Sequence, residues 1–135
     1  MVTNAEMFIA TLEARGLKYT TNDLGNGGVA VGVMFDYIMT HVVFDGRDDG
    51  SHVAFRTRLE GCPADKMTDI MVLCNSLNEK YRWVKFYVST ENNIMIEDDA
   101  IVSPDTAGEE CFELLIRTVS IIKDVKPSFM KIIYS

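Results

Sequence analysis

The sequence lacks most of the features from which a reaction or a cofactor could be predicted. It has two histidines, His41 and His52, and three cysteines, an odd number without the paired spacing of a zinc site. A disulfide framework would leave one cysteine over, so we expect free thiols at Cys62, Cys74 and Cys111. We predict no metal and no cofactor.

Basic clusters and long apolar runs are also missing. The chain has 13 Lys and Arg against 20 Asp and Glu, a net charge of −7, and it has no clustered basic patch that could follow phosphates. Nucleic acid is therefore not an expected partner. No segment approaches the roughly 18 apolar residues of a membrane span, and the first residues do not resemble a signal peptide. We expect a cytoplasmic protein that does not enter a membrane.

The composition that is present is typical of one globular domain. Hydrophobic residues make up 47% of the 135 residues, which is enough for a core of its own. Because the chain has no repeat, low-complexity segment or linker, we predict a single domain over residues 1–135.

The first half of the chain predicts one helix followed by three strands. The helix should begin at Thr3 or Asn4, with Glu6 completing a capping box, and should end at Gly16. Its apolar stripe would include Met7, Phe8 and Leu12. Residues 17–20 should be short and extended, and residues 22–28 should form a flexible approach to a hairpin. Alternating residues then predict strands over 27–35, 38–44 and 51–59.

The second half predicts a helix, two strands and a long helix. The first of these helices, from Ala64, has a stripe of apolar residues at helical spacing: Met67, Ile70, Met71, Cys74 and Leu77. It gives way to a strand at Trp83, the only tryptophan, and a second strand over 94–97 completes a hairpin. The last helix should run to about Asp124, with Pro127 ending or kinking it. The element order is α-β-β-β-α-β-β-α, an α+β domain with helices packed on an antiparallel sheet.

Two acidic segments suggest ion sites but are better explained in other ways. Asp45 to Gly50 resembles the start of a calcium loop, yet Arg47 and Arg56 occupy positions that need ligand oxygens, so we interpret the segment as a turn. Glu97, Asp98 and Asp99 close a strand, where adjacent side chains point to opposite faces. We interpret them as a solvated strand end.

Methionines and the C-terminal residues are the features that could form an interaction surface. Most of the 8 methionines fall where core packing is expected, although methionine-rich surfaces also form adaptable peptide grooves. The apolar end around Phe129, Met130 and Ile133 should dock on its own domain first, and otherwise on a second subunit or a partner. Together with Trp83, these three residues are our candidate protein-interaction surface.

The chain resembles the YbjN-like family, whose fold is shared with type III secretion chaperones. The resemblance covers the second half of the chain from about Pro63, and the first half agrees in element order. It depends on four segments: Leu77-Asn78-Glu79, Trp83-Val84-Lys85-Phe86-Tyr87-Val88, Glu97-Asp98-Asp99 and Lys126-Pro127-Ser128-Phe129-Met130.

The resemblance implies a regulator of bacterial sensory transduction or a chaperone-like protein that binds polypeptides, without catalytic residues and as a homodimer. Our first hypothesis is therefore a non-enzymatic protein-binding module. The alternative is a small enzyme or ligand-binding domain with a pocket near His41 or His52, completed by Asp36 and Tyr37. A structural homo-oligomer without a client is a third hypothesis, which the sequence does not separate from the first.

Overall fold

The computed structural model describes residues 1–135 and contains three α-helices and six strands. The helices are α1 (Thr3–Ala14), α2 (Met67–Lys80) and α3 (Ala107–Ile133). The strands are β1 (Tyr19–Gly25), β2 (Gly28–Phe35), β3 (Ile38–Phe44), β4 (His52–Gly61), β5 (Val84–Val88) and β6 (Asn93–Ile101). Two short 3-10 helices, Gly46–Asp48 and Ala64–Lys66, precede β4 and α2.

The strands form one antiparallel sheet in the order β1-β2-β3-β4-β6-β5, which confirms the predicted α+β class. The sheet has one strand more than predicted, because β1 runs through both the predicted extended stretch and the approach to the hairpin. The residues of β1 from Thr20 to Asp23 are polar and exposed, so they lack the apolar alternation that identifies a strand.

All three helices pack on one face of the sheet, which we call the inner face. Phe8 of α1 lies against Phe44 of β3, with ring centroids 5.9 Å apart, and Thr118 of α3 reaches Asp98 of β6. A single core of 29 buried residues connects the helices to this face. The opposite face, the outer face, has no helix over it.

The ends of α1 differ in how well the sequence predicts them. Gly16, with φ of +70°, ends the helix as predicted, and Leu17 N–H donates to Leu12 C=O across the last turn. The predicted capping box is wrong. Val2 occupies the N-cap position, and Asn4 is instead buried, where its amide donates to Gly50 C=O at 2.9 Å.

Pro127 does not end α3, which continues to Ile133, so the predicted end near Asp124 is wrong. Phe129 lies two residues beyond the proline and is fully buried. Burying this ring against the core offsets the cost of a proline in a helix interior.

Several methionines are exposed, contrary to the prediction that they fill the core. Met7 and Met71 lie on the solvent sides of α1 and α2, and Met34 pairs with Met39 across the β2–β3 hairpin on the outer face. Met34 and Met39 keep 52% and 38% of their surface exposed, so they form part of an uncovered apolar patch.

Candidate functional site

The structure separates the four residues of the predicted interaction surface. Phe129 is fully buried, which removes it from any surface of the folded chain, whereas Met130 and Ile133 are half-buried at the end of α3. Trp83 lies at the other end of the domain. The C-terminal Ser135 accepts a hydrogen bond from Lys66, just before α2, and Trp83 follows the far end of that helix. A helix of this length spans about 20 Å.

The residues of the alternative pocket are not brought together either. His41 lies in the middle of β3 and faces Arg56 of β4, whereas His52 lies at the start of β4, 3.6 Å from Asp99. Asp36 is in the turn between β2 and β3, where it forms an ion pair with Lys123 of α3. Neither histidine lines any of the five best-defined clefts of the molecule.

The outer face combines apolar and charged side chains over several strands. One row across the sheet contains, in order, Gly32, His41, Arg56, Glu97 and Lys85. Within it, the Glu97 carboxylate accepts the hydroxyl of Tyr87 at 3.0 Å and lies 3.5 Å from Arg56. These contacts hold Glu97 in place, while the methionine pair beside the row remains exposed.

The two edges of the sheet differ. At the β5 edge, Phe86 N–H donates to Asn78 Oδ1 at 2.7 Å, and Asn78 Nδ2 donates to Phe86 C=O at 3.0 Å, so a side chain from α2 satisfies both main-chain groups of the central residue of the strand. At the opposite edge, β1 pairs with β2 alone, and nothing covers its other side. An exposed edge strand of this kind can accept another strand.

A cleft of about 470 Å³ lies where α2 ends and β5 begins. It is lined by Asn78, Tyr81, Trp83, Val84, Lys85, Glu97, Asp98 and Asp99. The backbone turns sharply at Trp83, because Val84 N–H donates to Arg82 C=O and Trp83 has a φ of +43°. The predicted strand therefore begins one residue later, at Val84, and the Trp83 side chain stays 54% exposed.

Asp98 is the residue that the sequence analysis interpreted wrongly at this cleft. It is not part of a solvated strand end, because its side chain lies on the inner face and the residue is only 3% exposed. Both carboxylate oxygens lie 3.0 Å from the Thr118 hydroxyl, which donates to them. The pKa of Asp98 is raised to about 7, chiefly because the carboxyl is buried; the Thr118 hydrogen bond opposes this rise and the charge of nearby Asp99 adds to it. The period of two shared with Ile94 and Ile96 would have predicted this burial.

The other predicted sites have structural explanations. Asp45 accepts the backbone N–H and the guanidinium of Arg47, and these hydrogen bonds lower its pKa to about 2. The three cysteines are free and buried; burial raises the pKa of Cys74 to about 11 and of Cys111 to about 12. No group of three or more metal-ligating side chains comes together. None of the helices has the length and apolarity needed to cross a bilayer.

Comparison with solved structures finds a likeness that covers most of the chain. The structure titled "Crystal structure of the Yersinia Pestis type III secretion chaperone SycH in complex with a stable fragment of YscM2" matches with a TM-score of 0.50 and 13% identity. The match covers 87% of this chain and 98% of that one. At this identity the likeness shows a shared fold. No curated protein sequence matches the chain.

Comparison with protein families extends the resemblance into the first half of the chain. The YbjN family, described as "Putative bacterial sensory transduction regulator", matches residues 4–129. That range begins within α1 and ends at Phe129, so it includes the whole sheet. The chain belongs to the YbjN family.

Proposed function

We propose that this protein is a non-enzymatic regulatory module that acts by binding an extended segment of another polypeptide, in the manner of a chaperone. The family description and the fold shared with a chaperone solved in complex with a protein fragment both support a protein-binding role. A single domain in the cytoplasm, working as a homodimer, is part of the same proposal.

The observation that carries the proposal is the difference between the two edges of the sheet. The β5 edge is capped at Phe86 by Asn78, whereas the main chain of β1 has no partner on its outer side. An extended segment that paired with β1 would gain main-chain hydrogen bonds. Every second side chain of the segment would then lie on the outer-face side of β1.

A photo-cross-linker placed in β1 tests this proposal in cells. We expect a cross-linker at Thr21 to capture a polypeptide partner, and one at Ser120, which is exposed on α3, to capture none. The captured partner is then purified and offered to the purified protein in two states, folded and unfolded. We expect the protein to capture the unfolded form and not the folded one. Equal capture at both positions would contradict binding along β1.

Two proline variants control for damage to the strand itself. Adjacent residues in an antiparallel edge strand alternate between pairing with their neighbour and facing outward. Of Thr21→Pro and Asn22→Pro, one removes a bond to β2 and lowers the melting temperature, and the other removes an outward N–H. We expect the variant that removes the outward N–H to lose partner capture while its melting temperature changes little.

The dimer is tested by the mass of the purified protein in solution. The exposed Met34 and Met39 would be buried if the outer faces of two copies met. We expect a mass of two chains, and a mass of one chain for Met39→Glu, since a buried unpaired charge is costly. Glu6→Gln, on the exposed surface of α1, is the control and should leave the mass unchanged. A single-chain mass for the unaltered protein would contradict the dimer.

A further inference from the structure

We propose that Tyr37, at the tip of the β2–β3 hairpin, is the anchor residue of the contact between two copies of this chain. The inference rests on the homodimer of the proposed function, and it names the residue that joins the two copies. The Tyr37 ring of one copy packs against Met34 and Met39 of the other, and the two-fold symmetry of a homodimer repeats the contact. Aromatic rings and methionine sulfur attract each other, so the two parts of this surface are complementary.

The first argument is the strained backbone of the turn. Phe35 pairs with Ile38, so the loop between β2 and β3 contains two residues. These residues, Asp36 and Tyr37, have φ angles of +54° and +67°. A hairpin loop with two positive φ angles usually has Asn or Asp followed by Gly. Asp36 fits this preference, but a side chain as bulky as that of Tyr37 is rare in the left-handed region. The requirements of the turn therefore do not explain the tyrosine.

The other two-residue hairpin loop of the chain has the usual residues. Asn26 and Gly27 lie between β1 and β2, with φ angles of +43° and +87°. Asparagine and glycine adopt positive φ angles more easily than other residues do. The comparison within one chain identifies Tyr37 as the unusual residue.

The second argument is that contacts within the chain do not offset the strain. Tyr37 is 92% exposed, more than any other large hydrophobic residue of the chain, so its neighbours hardly contact it. Asp36 beside it forms an ion pair with Lys123 of α3, which holds the turn against the helix. The fold thus presents an aromatic ring to solvent on a fixed support. A strained residue of this kind is typical of functional sites.

The third argument is the surface next to Tyr37. Met34 and Met39 form the outward pair of the hairpin nearest to the turn, and they remain 52% and 38% exposed. Tyrosine and methionine are enriched at protein interfaces. Neither β2 nor β3 lies at an edge of the sheet, so an extended segment cannot add a strand here. The surface therefore suits a contact through side chains, unlike the binding of a polypeptide along β1.

Charge favours a second copy at this surface. Two copies that each carry −7 repel each other, and the repulsion is weakest where the surface is not acidic. The outer face meets this condition, because three of its charged strand residues are basic and two are acidic: Arg56, Arg58, Lys85, Glu97 and Asp99. Asp36, next to Tyr37, is neutralised by Lys123. Two copies can therefore meet here without bringing their acidic surfaces together.

The mass of the purified protein in solution tests the anchor role. Tyr37→Gly should reduce the mass from two chains to one, whereas Tyr37→Phe keeps the ring and should remain at two chains. Tyr134→Ala removes a second exposed tyrosine, just after α3, and is the control that should leave the mass unchanged. A mass of two chains for Tyr37→Gly would overturn the proposal.

Melting temperatures separate the contact from the strain of the turn. Tyr37→Ala and Tyr37→Gly both remove the ring and should both be single chains, but only glycine relieves the positive φ angle. We expect Tyr37→Gly to melt about 4 °C higher than Tyr37→Ala. Equal melting temperatures would show that the turn is unstrained, and this result would also count against the proposal.

The masses also distinguish this inference from the proposed function. If Met39→Glu is a single chain while Tyr37→Gly has a mass of two chains, this inference falls and the proposed dimer stands. If the unaltered protein is a single chain, the dimer and this inference fall together. Capture of a polypeptide at Thr21 tests binding along β1 independently of both.

Discussion

The side-chain amide of Asn78 holds the backbone of Phe86 by two hydrogen bonds, with Oδ1 accepting from N–H at 2.7 Å and Nδ2 donating to C=O at 3.0 Å. Asn78 thereby takes the place of a neighbouring strand at the β5 edge. It also joins the end of α2 to the hairpin that α2 precedes.

Asn78→Ala should lower the free energy of unfolding by about 2 kcal/mol, because both groups of Phe86 lose a partly buried partner. Urea denaturation measures this change. Asn75→Ala, on an exposed position of the same helix, is the control and should change stability by less than about 0.5 kcal/mol. An effect of Asn78→Ala as small as that of the control would show that the two bonds contribute nothing.

Asp98 should make the protein less stable as pH rises from about 4 to 7. Its pKa is about 7 in the folded chain against an ordinary value of 3.8, so within this window the folded state binds more protons than the unfolded state. Stability attributable to Asp98 is complete below pH 4 and is lost by pH 7, a change of about 4 kcal/mol at most.

Asp98→Asn checks that prediction by urea denaturation across the window. It removes the ionisable group and keeps an oxygen for the Thr118 hydroxyl. We expect the variant to be more stable than the unaltered protein at pH 8. We also expect its free energy of unfolding to fall less between pH 4 and 7 than that of the unaltered protein, because the contribution of Asp98 is removed. The same decline in both proteins would mean that Asp98 is not its source.

Thr40 and Thr57 form a buried hydroxyl pair, 2.9 Å apart, on the inner face of β3 and β4. Either single change to valine leaves one buried hydroxyl without a partner and should cost about 1–3 kcal/mol. The double change to valine removes both hydroxyls at nearly constant volume and should cost less than the sum of the two. A double-mutant cycle measures the coupling, and strictly additive costs would contradict the pairing.

Pro127→Ala should stabilise α3. Proline lacks the N–H that an interior helix position donates, and its ring crowds the carbonyl of the preceding turn. We expect a gain of about 1–3 kcal/mol in the free energy of unfolding, visible as a higher melting temperature. Ser128→Ala, on the next exposed position, is the control for helix propensity alone. A loss of stability in Pro127→Ala would indicate that the proline is needed to seat Phe129 in the core.

The sequence predicts the strands with strong alternation and misses the polar one. Val29, Val31 and Val33 identify β2 because each faces the core, whereas β1 is recognised as a strand only through its pairing with β2. At the end of α3, too, tertiary contacts decide the outcome. Pro127 alone predicts that the helix stops, but burial of Phe129 in the core keeps the helix going.

The candidate site was predictable in part. Trp83 was singled out from the sequence and is exposed. Asp98, which lines the same cleft, was grouped with its charged neighbours, although its alternation with Ile94 and Ile96 places it on the buried face of β6. The edge cap by Asn78 depends on the orientation of α2 and has no signature in the local sequence. Phe129 could not be assigned to core or surface before the helix that carries it was placed.

The order of the strands has a consequence for how the chain folds while it is being synthesised. The first four strands are each paired with a neighbour in sequence, so they can associate as soon as they emerge. β4 must wait for β6, which comes after α2 and β5, and loop closure over such a distance is slow. During translation the nascent chain therefore exposes a second unpaired edge strand, β4, which is covered once β6 has been synthesised and has paired with it.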